Sequence, residues 1–165
     1  SVNSTDPEEL QQAADTIIEM KPQVAAFTYS NRPMVVSGDV AAAHHFIGAM
    51  IDVFAHPDDL GYVIPEEGAT MYQEDICVLK TAPNKENAIR FMQFYTQPEI
   101  PALNMAQQTN GTANMKARAL TPENIKNSEE INPPPETMKR LQIFEDIGEG
   151  IRLYDRLWTK VKTAQ

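Results

Sequence analysis

An aromatic ring and a carboxylate stand two residues apart in this chain, at Tyr72 and Glu74. In an extended segment, residues two apart face the same side, so both side chains would face one cavity. A ring face attracts a cation, and a carboxylate pairs with one. The pair therefore indicates a site for an amine cation. A surface tyrosine beside a solvated glutamate is the alternative interpretation, because such pairs are common on protein surfaces.

The elements that would position this pair are two short runs rich in β-branched residues, 62–64 and 76–79. Both runs are predicted to be strands, and Pro65 and Gly68 favour a turn between them. Cys77 lies inside the second run. We therefore expect it to be a buried and inert thiol.

Composition and charge limit the classes of partner. The chain has 165 residues, 23 acidic against 14 basic, and a net charge of −9. This balance argues against a nucleic-acid partner, which needs clustered Lys and Arg, and it is compatible with a cationic ligand. A hydrophobic content of 42% predicts a globular chain long enough to bury a core. The single cysteine excludes an internal disulfide.

Sequence motifs of known enzyme classes are absent from the chain. There is no Gly-x-Ser-x-Gly, no glycine-rich phosphate loop and no His-Glu-x-x-His. His44 and His45 are adjacent on a predicted strand and would point to opposite faces, so one metal is not expected to bind both. We expect no cofactor and no metal. An enzyme that uses a carboxylate pair stays an alternative.

Cap signals and apolar spacing predict most of the helices. Asp6, Pro7 and Glu9 predict a helix start, and Pro22 ends that helix. Further helices are predicted at 49–55, 135–143 and 148–161, and a short one after Thr121. A helical segment is also predicted from Asn84 to about Gln108, with a break near Pro98. Strands are predicted at 24–29 and 40–46, and a helical turn closed by Gly38 lies between them.

Two helical stripes are predicted to be core. In the first helix after Asn84 the apolar positions share one face, as do those of the terminal helix. The members of these stripes are Ala88, Ile89, Met92 and Tyr95 in the former, and Ile151, Tyr154, Leu157, Trp158 and Val161 in the latter.

Several sequence motifs occur along the chain. They include Gly-Tyr-Val-Ile-Pro-Glu-Glu-Gly at 61–68, and Ser-Gly-Asp-Val at 37–40 followed by Phe-Ile-Gly at 46–48. The helix pair at 84–99 and Trp-Thr-Lys-Val-Lys at 158–162 belong to the same series. Together these motifs resemble those of the spermidine/putrescine-type substrate-binding proteins of bacterial ABC transporters. The resemblance covers nearly the whole chain and keeps order and spacing.

The resemblance implies an α/β chain with a partial type II periplasmic binding-protein fold that contributes to both lobes. Residues 1–73 would belong to the C-terminal lobe, 74–120 would return to the N-terminal lobe, and 121–165 would form terminal helices of the C-terminal lobe. Family members are exported to the periplasm and are about twice as long. We therefore expect a fragment that begins downstream of a signal peptide, and that self-associates or pairs with its missing half.

The resemblance also implies ligand contacts. Phe46 stands where relatives place a tryptophan against the ligand's methylene chain, and Tyr72 stands at a second aromatic wall. Glu74 stands where they place an aspartate that pairs with an ammonium. Asn110 replaces a common tyrosine, and Glu145 lies near the position where some relatives place a polar residue from the late helix.

The implied function is capture of a small cationic ligand, with a polyamine expected, for delivery to an ABC permease in the membrane. Binding would occur by closure of a cleft between lobes. Ala49 stands where some putrescine binders have an aspartate, so that contact is lost. The same fold binding a different solute therefore stays open as an alternative.

Overall fold

The computed structural model describes residues 1–164. Helices predominate there, with one pair of short strands. The bounds are α1 Pro7–Met20, α2 Arg32–Val36, α3 Met50–Ala55, β1 Ala69–Met71, α4 Lys85–Tyr95, α5 Glu99–Gln108, α6 Met115–Ala119, α7 Glu123–Lys126, α8 Pro135–Met138, β2 Leu141–Ile143 and α9 Ile151–Thr163. None of the described helices is long and apolar enough to cross a membrane.

The chain forms two compact units. The first unit contains Ser1–Tyr29, Gly68–Tyr72 and the described residues from Leu141 onward. The second unit contains Ser30–Glu67 and Gln73–Arg140. These boundaries differ from the predicted lobe boundaries after residues 73 and 120, and the assignment of segments to lobes stays a prediction.

Helix α1 begins where its cap signals predict. Asp6 is extended, and its carboxylate accepts hydrogen bonds from the backbone N–H groups of Glu8 at 2.8 Å and Glu9 at 3.4 Å. These bonds satisfy N–H groups that have no partner within the helix. Pro7 takes the first helical position, where its missing N–H costs nothing.

The core of the first unit is the contact between α1 and α9. Its buried residues are spaced four apart on each helix, Leu10 and Ala14 on α1 and Leu157 and Val161 on α9. This spacing places each pair on one helix face. The predicted apolar face of α9 is thus confirmed at Leu157 and Val161. It is wrong at Ile151, which is 51% exposed, and at Trp158, which is 43% exposed and meets the ring of Phe27 edge-on at 5.2 Å.

A lysine from the end of α1 caps the end of α9. The ammonium of Lys21 donates to the carbonyls of Val161 and Lys162, each at 3.0 Å, and to that of Ala164. The last carbonyls of a helix lack partners inside it and carry a partial negative charge. One cation therefore satisfies several of them at once.

Lys21→Met is expected to lower the free energy of unfolding by about 1–2 kcal/mol, because it keeps the aliphatic chain but removes the donor. Urea denaturation measures the change. Lys80→Met is the control, since Lys80 is exposed and no ion pair is seen for it among residues 1–164. An equal loss in both variants would contradict the capping role.

Strand positions are where the sequence predictions are wrong. β1 and β2 pair in parallel, with Ala69 opposite Leu141 and Met71 opposite Ile143. The predicted strands at 24–29, 40–46, 62–64 and 76–79 have no strand conformation. A strand requires a hydrogen-bonded neighbouring strand. A run of β-branched residues favours extended backbone, but it does not provide that neighbour. The predicted helix 135–143 likewise splits into α8 and β2.

The core of the second unit is built from residues on four separate segments. Met50, Met105, Ile125 and Ile131 are buried together. The helices predicted after Asn84 are confirmed as α4 and α5, but no residue of α4 is buried.

Two burial predictions in the second unit are wrong. Ile89, in the predicted core stripe of α4, is 49% exposed, and Cys77 is exposed. In both cases an apolar pattern indicated burial that these two residues do not have, whereas Ala88, Met92 and Tyr95 of the α4 stripe are half-buried.

Candidate ligand-binding site

The structure brings the segment of Phe46 against the segment of Asn110, within the second unit. Phe46 precedes a 3-10 turn, Ile47–Ala49, that leads into α3. The Thr109 hydroxyl lies 3.2 Å from the Gly48 carbonyl and 2.7 Å from the Gln108 carbonyl, and its single hydrogen is shared between these two acceptors. A Cβ atom added to Gly48 would lie 3.7 Å from Asn110 Oδ1. The two segments are thus in direct contact.

Thr109 controls how the chain leaves α5. Its φ is 56°, in the left-handed region that β-branched residues rarely adopt, and its side chain is 2% exposed. Its N–H donates to the Met105 carbonyl at 2.8 Å. Glycine or asparagine is usual at such a helix end. No sequence signal marked this threonine; a residue in a rarely populated conformation persists where its surroundings constrain it, and Thr109 is buried with its hydroxyl in contact with two carbonyls.

Asn110 follows Thr109 and is half-buried. Its Nδ2 donates to Gln108 Oε1 at 3.3 Å. Phe46, by contrast, is 43% exposed, and its ring centre lies 6.2 Å from that of His45. The exposed Phe46 ring and the Asn110 amide oxygen flank the contact between Thr109 and Gly48. Such a pair suits an elongated ligand that has an apolar chain and a hydrogen-bond donor.

The other three candidate residues are distributed over both units. Glu74 lies in the second unit, exposed in a segment without regular structure. Tyr72 and Glu145 lie in the first unit, and both are exposed. The Glu145 backbone is fixed by Asn3, whose Oδ1 accepts from the Glu145 N–H at 3.0 Å. The ligand roles of all five candidates stay predictions.

An ion pair near Phe46 was missed by sequence reasoning. Arg32 on α2 donates to Asp52 on α3 through Nε at 2.6 Å and Nη2 at 2.8 Å. The hydrogen bonds lower the pKa of the Asp52 carboxyl and raise that of the Arg32 guanidinium. Burial lowers the pKa of His45, and the Arg32 charge adds to that effect. The partners are twenty residues apart, so no local pattern signals the pair.

The Asp52–Arg32 pair predicts a pH dependence of stability. A carboxyl whose pKa is depressed on folding stabilises the protein above its unfolded pKa of about 4, and the gain is lost as the pH falls through the folded pKa. Asp52→Asn is therefore expected to be less stable than the native chain at pH values near neutral, with the difference shrinking below pH of about 4. Urea denaturation across pH measures it.

Asp58→Asn serves as the control for this prediction, because Asp58 is exposed on the turn after α3. A change of stability with pH that both variants share would report the loss of one negative charge and not the ion pair. If the Asp52→Asn difference stayed constant with pH, the ion pair would contribute nothing measurable to folding.

No group of three or more His, Cys, Asp or Glu side chains able to hold a metal occurs among residues 1–164. His44 and His45 are adjacent in sequence, and the His44 carbonyl accepts from Asn31 Nδ2 at 3.0 Å.

Comparison with known proteins defines the class. The profile of the bacterial extracellular solute-binding protein family matches residues 1–133. The chain belongs to this family.

Individual relatives carry more specific names. The chain is 30% identical to the putrescine-binding periplasmic protein SpuD of Pseudomonas aeruginosa, over 99% of this chain and 47% of that protein. It is 26% identical to the spermidine/putrescine-binding periplasmic protein of Escherichia coli, over 100% of this chain and 48% of that protein. The chain thus spans about half the length of the curated relatives it matches.

A solved structure from Listeria monocytogenes, described as a proposed spermidine/putrescine ABC transporter, superposes with a TM-score of 0.82. It is 27% identical, and the match covers 99% of this chain and 51% of that one. The predicted fold is confirmed: the chain has part of a periplasmic binding-protein fold. The predicted periplasmic location agrees with the names of the relatives.

Proposed function

We propose that the protein captures a small cationic solute, a polyamine such as putrescine or spermidine, and delivers it to an ABC permease. The observation that supports this most is the match, along the whole chain, to relatives named for polyamine binding. The chain's net charge of −9 favours the approach of a cation.

The candidate side chains have the chemistry that such a ligand requires. An alkyl diamine has an apolar chain and two ammonium ends, so it needs apolar walls and acidic partners. Phe46 and Tyr72 supply exposed ring surface, and Glu74 supplies an exposed carboxylate. An ammonium that leaves water without such a partner binds poorly. Asn110 and Glu145 are proposed as further polar contacts.

The proposal includes no catalytic step, and membership of a family of solute-binding proteins supports this. Two alternatives give different results. A binding protein of the same fold for another solute would bind no amine, and a carboxylate-dependent enzyme would release a product. An anionic ligand is disfavoured because Glu74 would repel it.

Isothermal titration of the full-length protein tests the proposal. We expect micromolar or tighter binding of putrescine or spermidine, without chemical change in the recovered amine. Succinate, which has the same carbon-chain length as putrescine but opposite charges, is the control and should give no heat of binding. Heat of binding with succinate alone would contradict the proposal. The absence of binding heat with every amine would contradict it as well.

We further propose that the apolar side chains exposed on α4, Ile89, Phe91 and Phe94, pack against additional protein. Exposed apolar patches commonly mark interaction surfaces. A second copy of the chain, or the part of the longer relatives that it does not span, would cover them. Light scattering of residues 1–165 expressed alone should therefore show self-association. A monomer at high concentration would contradict pairing between copies.

A further inference from the structure

The segment 42–46 has no regular secondary structure, yet two side chains hold its backbone in place. Asn31 Nδ2 donates to the His44 carbonyl at 3.0 Å, and the Tyr62 hydroxyl donates to the His45 carbonyl at 3.0 Å. In a sheet, a neighbouring strand would satisfy such carbonyls. Here two side chains from elsewhere in the second unit do so for consecutive residues.

The next carbonyl is held as well. Phe46 accepts at its carbonyl from the Ala49 N–H at 3.0 Å, which closes the 3-10 turn. Three consecutive carbonyls therefore each have a separate donor. The backbone before and after the Phe46 ring is fixed even though 43% of that residue is exposed.

Both donating side chains are themselves anchored. Asn31 immediately precedes α2, whose first residue, Arg32, is paired with Asp52 on α3. Tyr62 packs against the buried cluster that contains Met50. The two donors are thus tied to the folded body of the second unit, and a shift of the segment would break bonds at both.

We propose that Asn31 and Tyr62 are positioning residues for the bound amine, because they fix the backbone that presents the Phe46 ring. This inference rests on the proposed function. A preorganised ring makes its contact without an ordering penalty at the moment of binding. When a donor is lost, its carbonyl turns toward water and the ring samples orientations that do not contact the ligand.

The Tyr62→Phe variant of the full-length protein tests the inference, since it removes one oxygen atom and keeps the packed ring. We expect the affinity for putrescine to fall about fivefold, the effect of one net hydrogen bond. Tyr95→Phe is the matched control. The Tyr95 hydroxyl accepts from Asn104 Nδ2 at 3.0 Å in the same unit, and its removal should leave the affinity unchanged.

A double-mutant cycle separates positioning from general loss of structure. In a Phe46→Ala background, Tyr62→Phe should cost no further affinity, because the ring that it positions is gone. An equal loss in both backgrounds would overturn the inference. Unchanged affinity of the Tyr62→Phe variant for putrescine in the native background would also overturn the inference.

Amide hydrogen exchange gives a reading that needs no ligand. Tyr62→Phe and Asn31→Leu should each speed exchange in a peptide spanning 42–50, while Tyr95→Phe should not. Unchanged exchange overturns the positioning role whatever the ligand is. If exchange is faster in the variants but the protein binds no amine, the proposed function and the role in amine binding are both refuted. The conclusion that Asn31 and Tyr62 hold the backbone of this segment would remain.

Discussion

Glu74→Gln is expected to weaken putrescine or spermidine binding by more than tenfold, that is by at least about 1.4 kcal/mol. The variant keeps the size of the side chain and removes its charge. A ligand ammonium that has left water then faces a neutral amide in place of a carboxylate, and charge-assisted hydrogen bonds are roughly twice as strong as neutral ones. Isothermal titration of the full-length protein measures the change.

The neighbouring carboxylate provides a matched control. Asp75→Asn removes the same charge one residue away, where the carboxylate accepts from Gln73 Nε2 at 3.0 Å. Its effect on affinity should stay within about twofold, as expected for a screened surface charge. If both variants lost affinity equally, the effect would be one of net charge, and Glu74 would have no specific role.

Glu74→Asp extends the test to geometry. The sequence resemblance places an aspartate at this position in relatives, so the shorter acid should retain most of the affinity. Loss as large as that of Glu74→Gln would indicate that this chain depends on the reach of the longer side chain.

Leu157→Ala is expected to lower the free energy of unfolding by about 3 kcal/mol, the middle of the range for leucine truncation in cores. Leu157 is 9% exposed and lies in the cluster that joins α1 to α9. The shortened side chain leaves a cavity between two helices that are both fixed by further contacts. Urea denaturation followed by far-ultraviolet circular dichroism measures the loss.

Ile151→Ala on the same helix is the control, because Ile151 is 51% exposed. It should cost less than about 1 kcal/mol, since most of its surface is already in water. Similar losses in the two variants would mean that the α1–α9 contact does not dominate the stability of the first unit.

Local chemistry explains what could be predicted from sequence. The ends of α1 follow from Asp6, Pro7 and Pro22, because caps and prolines act on the backbone within a few residues. Helix α5 ends at Gln108 as predicted, whereas the terminal helix predicted at 148–161 is a 3-10 turn followed by α9 at Ile151–Thr163. Family, fold and the expected ligand class came from the order and spacing of short motifs. The ring at Phe46 and the carboxylate at Glu74 could be nominated in this way, but their geometry could not.

The tertiary structure decided what depends on distant partners. A strand exists only where another strand pairs with it, so β1 forms at Ala69–Met71 and not at the β-branched run before it. Thr109 adopts a left-handed conformation against its own local preference, at a position where it is buried and its hydroxyl contacts the carbonyls of Gln108 and Gly48.

Burial too is a property of the neighbours. An apolar stripe on α4 predicts a buried face, but whether Ile89 is covered depends on the elements that lie against it. The same holds for the donors to the His44 and His45 carbonyls, which come from Asn31 and Tyr62. Sequence by itself determined most of the helices, though not the split of 135–143 into α8 and β2, and it determined the chemistry available on each segment. Tertiary packing decided which segments meet, because hydrogen-bond partners and covering surfaces come from residues far apart in the chain.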